Sequence, residues 1–175
     1  LGAGGIVSLV RGEAEVAEGP NTLTKILGID AGMGGALAYY DGQELLLWDM
    51  PIYAKASGGN DLDIHKLHKI VLEAAPEHCF LEKTTAMPGI SGKAAYSMGK
   101  SEGCFIALFA ALNLPYTLVR PGVWKKALSC PADKGLSRQR ASELLPQYAH
   151  NWSLKKYVDR SEASMIALYG FQQQK

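Results

Sequence analysis

Residues 26–32 read Ile-Leu-Gly-Ile-Asp-Ala-Gly, a short apolar run that ends on an acid and enters a glycine-rich turn. We predict a strand over residues 24–29, because the run is short, β-favouring and bounded by a turn. An acid placed directly after an apolar strand and before a turn has little structural reason to be there. Asp30 is therefore the first candidate for a chemical role.

The residues that follow complete an antiparallel unit. A second strand is predicted over residues 36–40 and a third over residues 44–49. Between them, the dipeptide Asp41-Gly42 predicts a tight hairpin, because both of its residues tolerate positive φ.

Beyond the third strand, helices and strands are predicted to alternate. After a loop over residues 56–60, Asp61 and Asp63 both suit a helix start, and Pro76 ends that helix. The other predicted elements are strands over 79–81 and 115–119, and helices over 93–113, 123–128, 137–145 and 159–169. The long helix is apolar nearly all round from Cys104 to Leu112, which predicts deep burial there. This order predicts an α/β fold with a mixed five-stranded sheet flanked by helices.

The composition predicts one globular domain. The chain has 175 residues, of which 47% are hydrophobic and 20% charged, enough to build a sizeable core. We assign residues 1–22 to an N-terminal arm or extra edge strand, and residues 23–175 to the domain. The apolar stretches are too short to span a membrane, so no membrane partner is expected. The three cysteines lack the spacing of a disulfide framework or zinc site, which favours a reducing compartment.

The charge is unevenly distributed along the chain. The formal net charge is only +1. Residues 1–92 contain 6 Lys/Arg and 12 Asp/Glu, whereas residues 93–175 contain 12 Lys/Arg and 5 Asp/Glu. Such a chain can present a basic face to a polyanion while remaining nearly neutral, although an uneven solvated surface would look the same.

Four carboxylates stand at the ends of predicted elements. Asp30 and Glu82 each follow an apolar strand, so their side chains would emerge side by side if those strands are neighbours. Asp159 and Glu162 are three residues apart and share a face at the start of the last helix. Clustered carboxylates without His or Cys suit Mg²⁺ or Mn²⁺, and two such ions can activate water for phosphodiester hydrolysis. Each acid alone would serve equally well as a helix cap or a surface charge.

Segments around these acids resemble the motifs of one protein family, the RuvC-like Holliday junction resolvases. The resemblance runs in order from about Lys25 to Gly170, and the phage-encoded and plastid monokaryotic-chloroplast types are the most similar branches. The segments are Ile26–Gly32 with Gly34-Gly35-Ala36, Leu81-Glu82-Lys83 with Met87-Pro88-Gly89 and Gly92-Lys93, Arg120-Pro121 with Trp124-Lys125 and Ser137-Arg138, and Asp159–Ala163 with Ala167–Gly170.

The resemblance implies a ribonuclease H-like fold and a homodimer that resolves four-way DNA junctions by paired, metal-dependent nicking of opposing strands. It implies two Mg²⁺ or Mn²⁺ ions per active site, with Asp30, Glu82, Asp159 and Glu162 as catalytic residues and metal ligands. Many relatives have Asp in place of Glu162 and several have His in place of Asp159, and either exchange keeps a metal ligand. A plant or algal chain of this type would work in the plastid, a phage or bacterial one in the cytoplasm.

Basic and aromatic residues are the candidates for DNA contact. Lysine and arginine neutralise phosphates, and an exposed tyrosine can stack on an opened base. The candidates are Lys83, Lys93, Tyr96, Lys100, Arg120, Lys125, Arg138, Lys155, Lys156 and Arg160, with Lys126 and Arg140 as further phosphate contacts. Tyr96 would equally well sit at the edge of the core. Trp124 is predicted to belong to the core, and the four histidines receive no catalytic role.

Three alternatives remain open at this point. The chain would be another ribonuclease H-like nuclease if it cut a different nucleic acid. Loss of one of the four acids would favour a junction-binding protein without cleavage, and all four are present in the sequence. Sugar kinases and actin-like ATPases also open with an acid before a glycine-rich hairpin, but they need two such domains and a second phosphate loop, for which 175 residues leave little room.

Overall fold

The computed structural model describes residues 24–85 and 89–174. The arm or edge strand predicted for residues 1–22 lies outside the described residues. So does segment 86–88 of the loop after Glu82, which includes Met87 and Pro88 of the quoted motif. No helix within the described ranges is long and apolar enough to cross a membrane.

A mixed five-stranded sheet forms the centre of the fold, and a two-stranded ribbon lies outside it. The strands are β1 (Ile26–Asp30), β2 (Ala36–Tyr40), β3 (Leu45–Asp49), β4 (Ile52–Ala54), β5 (Asn60–Leu62), β6 (His78–Glu82) and β7 (Tyr116–Val119). The larger sheet has the order β3-β2-β1-β6-β7. Its first three strands are antiparallel, whereas β6 and β7 run parallel to β1. The predicted fold class is confirmed.

The ribbon of β4 and β5 was not predicted, and the predicted loop over residues 56–60 joins its two strands, with Asn60 already in β5. The two strands pair antiparallel, with Ile52 opposite Leu62. Asp61 does not start a helix. It is buried in β5, where its carboxylate accepts a hydrogen bond from Lys100. Strands of three residues carry too few side chains for a recognisable alternation, which is why the sequence did not indicate them.

The helices occur where they were predicted, with shifted ends. They are α1 (Ile64–Ala74), α2 (Gly92–Ala111), α3 (Pro121–Ala127), α4 (Lys134–Leu144) and α5 (Val158–Gln173), with 3₁₀ helices over Pro146–Trp152 and Lys155–Tyr157. α1 starts after Asp63, whose side chain accepts from the Lys66 amide. α4 starts three residues earlier than predicted, because the Asp133 carboxylate accepts hydrogen bonds from the first-turn amides of Gly135 and Leu136.

Deep burial of the second half of α2 was predicted wrongly. Phe105 and Phe109 are fully buried against the sheet, but Gly103, Ala107 and Ala110 are exposed. Small apolar residues raise the hydrophobicity of a segment without needing burial, so hydropathy alone did not separate the two faces of this helix.

The sheet separates two hydrophobic cores. On one face, Ile26 and Phe80 pack with α5 and the short helices before it. On the other face, Leu27 and Leu81 pack with α1 and α2. Successive strand residues point to opposite faces, so the residues that end β1 and β6 belong to the α5 face.

Helix α5 packs against β1 at backbone contact distance. A Cβ atom on Gly28 would lie 2.2 Å from the backbone nitrogen of Ala167 and 2.6 Å from the carbonyl oxygen of Ala163. One on Gly170 would lie 2.4 Å from the Phe80 ring. These two glycines are therefore needed for the close approach that places α5 over the centre of the sheet.

Candidate active site

Two of the four predicted acids stand at the neighbouring ends of parallel strands. Ile29 of β1 pairs with Leu81 of β6, so the next residues, Asp30 and Glu82, leave the sheet side by side. Both belong to the face covered by α5. The two strands are neighbours in the sheet, which was the condition for these side chains to emerge together.

Helix α5 brings the other two acids to the same place. Asp159 and Glu162 lie in its first turns, and Glu162 is only 7% exposed. Carboxylate oxygens of Asp30, Asp159 and Glu162 all lie within 4.8 Å of one another. Since α5 is buried along most of its length, the core itself fixes the position of these two acids.

Glu82 lies beside this group of three rather than within it. Its Oε1 atom accepts a hydrogen bond of 2.8 Å from Nε1 of Trp124. Trp124 is fully buried, as predicted for a core residue. Its polar contact with a candidate ligand was not predicted, because a tryptophan in an amphipathic helix gives no sign of where its nitrogen points.

Two lysines neutralise part of the cluster's charge. Nζ of Lys125 lies 2.8 Å from Oε1 of Glu162. Nζ of Lys134 lies 3.2 Å from Oδ1 of Asp159 and 3.9 Å from Oε2 of Glu162. Lys125 was predicted as a phosphate contact, whereas Lys134 was not singled out. Asp133 was the available signal: it is the N-cap of α4, so it indicates that Lys134 is the first residue of that helix.

Burial, with the charge of neighbouring carboxylates, raises the pKa of two of the acids. Burial, followed by the charge of Glu82, raises the pKa of Asp30 to about 7, against an opposing hydrogen bond from the Gly32 amide. Burial also raises the pKa of Glu82, and the charge of Glu162 adds to this, while the Trp124 hydrogen bond opposes it. The site therefore holds more carboxylate than its own lysines balance, and its hard oxygen donors fit Mg²⁺ or Mn²⁺.

The predicted DNA contacts near α5 have different surroundings. Lys155 and Lys156 are exposed just before the helix. Lys155, Lys134 and Arg138 line a cavity of about 440 Å³, although Arg138 also donates to the carbonyl oxygens of residues 152 and 153. Arg160 forms two hydrogen bonds of 2.6 Å with Asp49 and lies 4.0 Å from the centre of the Tyr157 ring.

The other predicted contacts lie outside the acidic cluster. Lys93 and Tyr96 are exposed on α2, and Tyr96 is 73% exposed rather than at a core edge. Lys100, also on α2, forms an ion pair with Asp61. Lys83 is half-buried after β6, and Arg120 is exposed just before α3.

Comparison with known proteins supports the fold. No protein-family model and no curated protein matches the sequence. Among the solved structures that resemble it, Thermus thermophilus RuvC in complex with a Holliday junction substrate has a TM-score of 0.60 at 17% identity, over 86% of this chain and 95% of that one. RuvC from the same organism, in another structure, gives 0.52 at 18% identity, over 86% and 96%. The yeast mitochondrial Holliday junction resolvase Ydc2 gives 0.60 at 12% identity, over 90% and 83%. The chain therefore has the ribonuclease H-like fold of the RuvC-type Holliday junction resolvases.

Proposed function

We propose that this chain is a RuvC-like resolvase, a metal-dependent endonuclease that cuts four-way DNA junctions by paired nicks in opposing strands. The observation that carries the proposal is the cluster of three carboxylates, with Glu82 beside it, where two parallel strands end under α5 in a chain with this fold. The sequence motifs around Asp30, Glu82 and Asp159 support a relationship to the phage-encoded and plastid branches of that family. The structures it resembles include a RuvC in complex with a junction substrate.

The chemistry follows from the kinds of side chain present. Asp30, Asp159 and Glu162, with Glu82 beside them, would hold two Mg²⁺ or Mn²⁺ ions through their oxygens. When bound, such ions supply an activated water and stabilise the charge that builds up on the phosphate and the leaving oxygen. The lysines beside the cluster offer positive charge to the phosphates of a bound strand. Burial of Glu162 limits the water around these carboxylates, which strengthens their electrostatic interactions.

The proposal includes a homodimer. A four-way junction has two-fold symmetry, so a two-fold dimer places one site on each of two opposing strands. The exposed small residues Gly103, Ala107 and Ala110 of α2 support a close helix contact between copies, because small side chains let backbones approach. A junction complex that sediments with a single copy of the chain would contradict this part of the proposal.

Cleavage of a labelled, immobile four-way junction tests the proposed function. We expect symmetric nicks in opposing strands with Mg²⁺ or Mn²⁺ and none in EDTA, while linear duplex and an RNA–DNA hybrid remain intact. The Asp30→Asn variant, run in parallel, should bind the junction and cut it far more slowly than the wild type. Junction binding without cutting by the wild type would favour a recognition-only protein. Cutting of the hybrid instead would make the chain another ribonuclease H-like nuclease.

The exposed pair Lys155 and Lys156 gives a separate prediction about DNA binding. Replacing both with glutamine should make junction affinity less dependent on salt, since each phosphate contact contributes about 0.9 to the slope of log K against log salt concentration. Fluorescence anisotropy at several salt concentrations in Ca²⁺ measures that slope. The matched control is Lys69→Gln, which removes an exposed lysine from α1 on the opposite face of the sheet. An equal change in slope from the control would contradict the assignment of this surface.

A further inference from the structure

Helix α3 supplies a hydrogen-bond donor to each of two carboxylates from neighbouring residues. Trp124 donates through Nε1 to Oε1 of Glu82 at 2.8 Å, and Lys125 donates through Nζ to Oε1 of Glu162, also at 2.8 Å. An indole nitrogen only donates, and when buried it needs an acceptor. Here the acceptor is an acid at the candidate metal site, although a carbonyl or hydroxyl oxygen would satisfy the indole equally well.

The two donors differ in what a bound cation would do to them. An ammonium group such as that of Lys125 carries a positive charge, which a metal ion on the same carboxylates repels. The indole of Trp124 is neutral, so its hydrogen bond to Glu82 is compatible with an ion beside that carboxylate. Of the side chains that donate to these four carboxylates within residues 24–85 and 89–174, Trp124 is the one without a charge.

Trp124 is also held more firmly than either lysine. Its side chain is fully buried and packs in the core that includes α5. By contrast, the side chain of Lys125 is 20% exposed and that of Lys134 is 64% exposed. A rigid neutral donor fixes the direction of a carboxylate group, and such outer partners typically change metal affinity by 10–100-fold when they are removed.

We propose that Trp124 is a positioning residue for the metal site: its indole N–H holds the Glu82 carboxylate through Oε1, so that Glu82 would be oriented to help hold the ion. This assignment rests on the proposed metal-dependent function. It changes the role of Trp124 from a core residue to one that acts on the reaction through Glu82.

Indole resonances of the wild-type protein test this assignment without any cleavage assay. The chain has three tryptophans, Trp48, Trp124 and Trp152, and the Trp124 signal is the one missing from the ¹H–¹⁵N spectrum of the Trp124→Phe variant. Addition of Mg²⁺ should shift the Trp124 indole signal. It should leave Trp152 in place, whose Nε1 donates to Ser142 Oγ at 3.0 Å.

Metal affinity of the variants provides the second measurement. Trp124→Phe keeps most of the buried ring and removes the donor, so we expect the Mg²⁺ concentration for half-saturation, measured by calorimetry, to rise about tenfold. Trp152→Phe is the matched control, because it also removes one indole hydrogen bond from a buried tryptophan, and its Mg²⁺ affinity should equal that of the wild type. Melting curves of both variants report the structural cost that the two substitutions share.

The possible outcomes separate this assignment from the proposed function. If Mg²⁺ binds to the wild type and shifts the amide signals of Asp30 and Asp159 while the Trp124 indole signal does not move, the positioning role is wrong. Equal Mg²⁺ affinities for Trp124→Phe and wild type would also overturn it. If Mg²⁺ does not bind to the wild type at all, the proposed metal site fails first, and the assignment fails with it. Should Trp124→Phe fail to fold, indole signals of the wild type assigned through Trp48→Phe and Trp152→Phe still decide the question.

Discussion

In EDTA at pH 8, the Asp30→Asn protein is expected to be more stable than the wild type by about 4 kcal/mol. Burial and the charge of Glu82 raise the pKa of Asp30 to about 7, against 3.8 for an unperturbed aspartate. Between these two pH values the folded chain binds more protons than the unfolded chain, so wild-type stability falls as pH rises. Above pH 7 the ionised Asp30 lowers the free energy of unfolding of the wild type by its full amount. Asparagine has no charge, so the variant avoids this loss.

Urea denaturation at pH 8 and at pH 4 measures this effect, and the difference between the two proteins should nearly vanish at pH 4. Asp41→Asn serves as a control of opposite sign. Although burial alone would raise the pKa of Asp41, hydrogen bonds from the Glu44 and Gln43 amides and from Tyr39 hold it below its usual value. That variant should therefore be less stable than the wild type at pH 8. A stabilisation by Asp30→Asn of equal size at both pH values would refute the explanation from buried charge.

Although Asp30→Asn is expected to be the more stable protein, it should be the slower nuclease when Mg²⁺ is present. Loss of one ligand from a metal site removes about 4 kcal/mol of transition-state stabilisation, which corresponds to about a thousandfold slower cleavage. Single-turnover cleavage of the four-way junction, at saturating protein, separates this loss from any change in DNA affinity. The same carboxylate thus destabilises the metal-free protein and is required for the proposed reaction.

The second large effect is expected from Gly28→Ala. The new Cβ would lie 2.2 Å from the Ala167 nitrogen, which belongs to the backbone of α5 and has no rotamer to change. The helix must move away from β1, at a cost of about 3 kcal/mol or more. Because α5 carries Asp159 and Glu162, the same movement separates them from Asp30. We expect a lower melting temperature and, in the protein that remains folded, weaker Mg²⁺ binding by calorimetry.

Gly122→Ala is the matched control for this substitution. Gly122 lies in α3, is exposed, and has open space where its Cβ would be. Alanine there should leave stability unchanged or raise it by about 0.5–1 kcal/mol, since glycine is the poorer helix former. If both variants lost the same stability, the close approach of α5 to β1 would not be the cause.

The five strands of the larger sheet and the positions of the four acids were predictable because they depend on short-range patterns. The apolar run before Asp30, the hairpin at residues 41–42 and the apolar run before Glu82 each occupy a few consecutive residues. The pairing of β1 with β6 then follows from the predicted fold, and alternation along each strand puts both acids on one face. For these residues, the local pattern and the tertiary structure agree.

The donors around the acids were not predictable, because they depend on contacts between distant elements. Trp124 reaches Glu82 across 42 positions of sequence, and Lys134 reaches Asp159 across 25. The presence of a tryptophan or a lysine in the sequence does not indicate which distant residue its side chain contacts. The exposed face of α2 was missed for a different reason, since glycine and alanine are compatible with both a core and a surface.

Half of the candidate site is synthesised after the two strands that carry the other half. Strands β1 and β6 leave the ribosome long before residues 158–173, yet Asp30 and Glu82 alone offer no group of three carboxylates. A nascent chain therefore carries an incomplete centre until α5 docks over Gly28. The burial of α5 thus sets an order of events, in which this part of the core must form before the candidate site has all of its carboxylates.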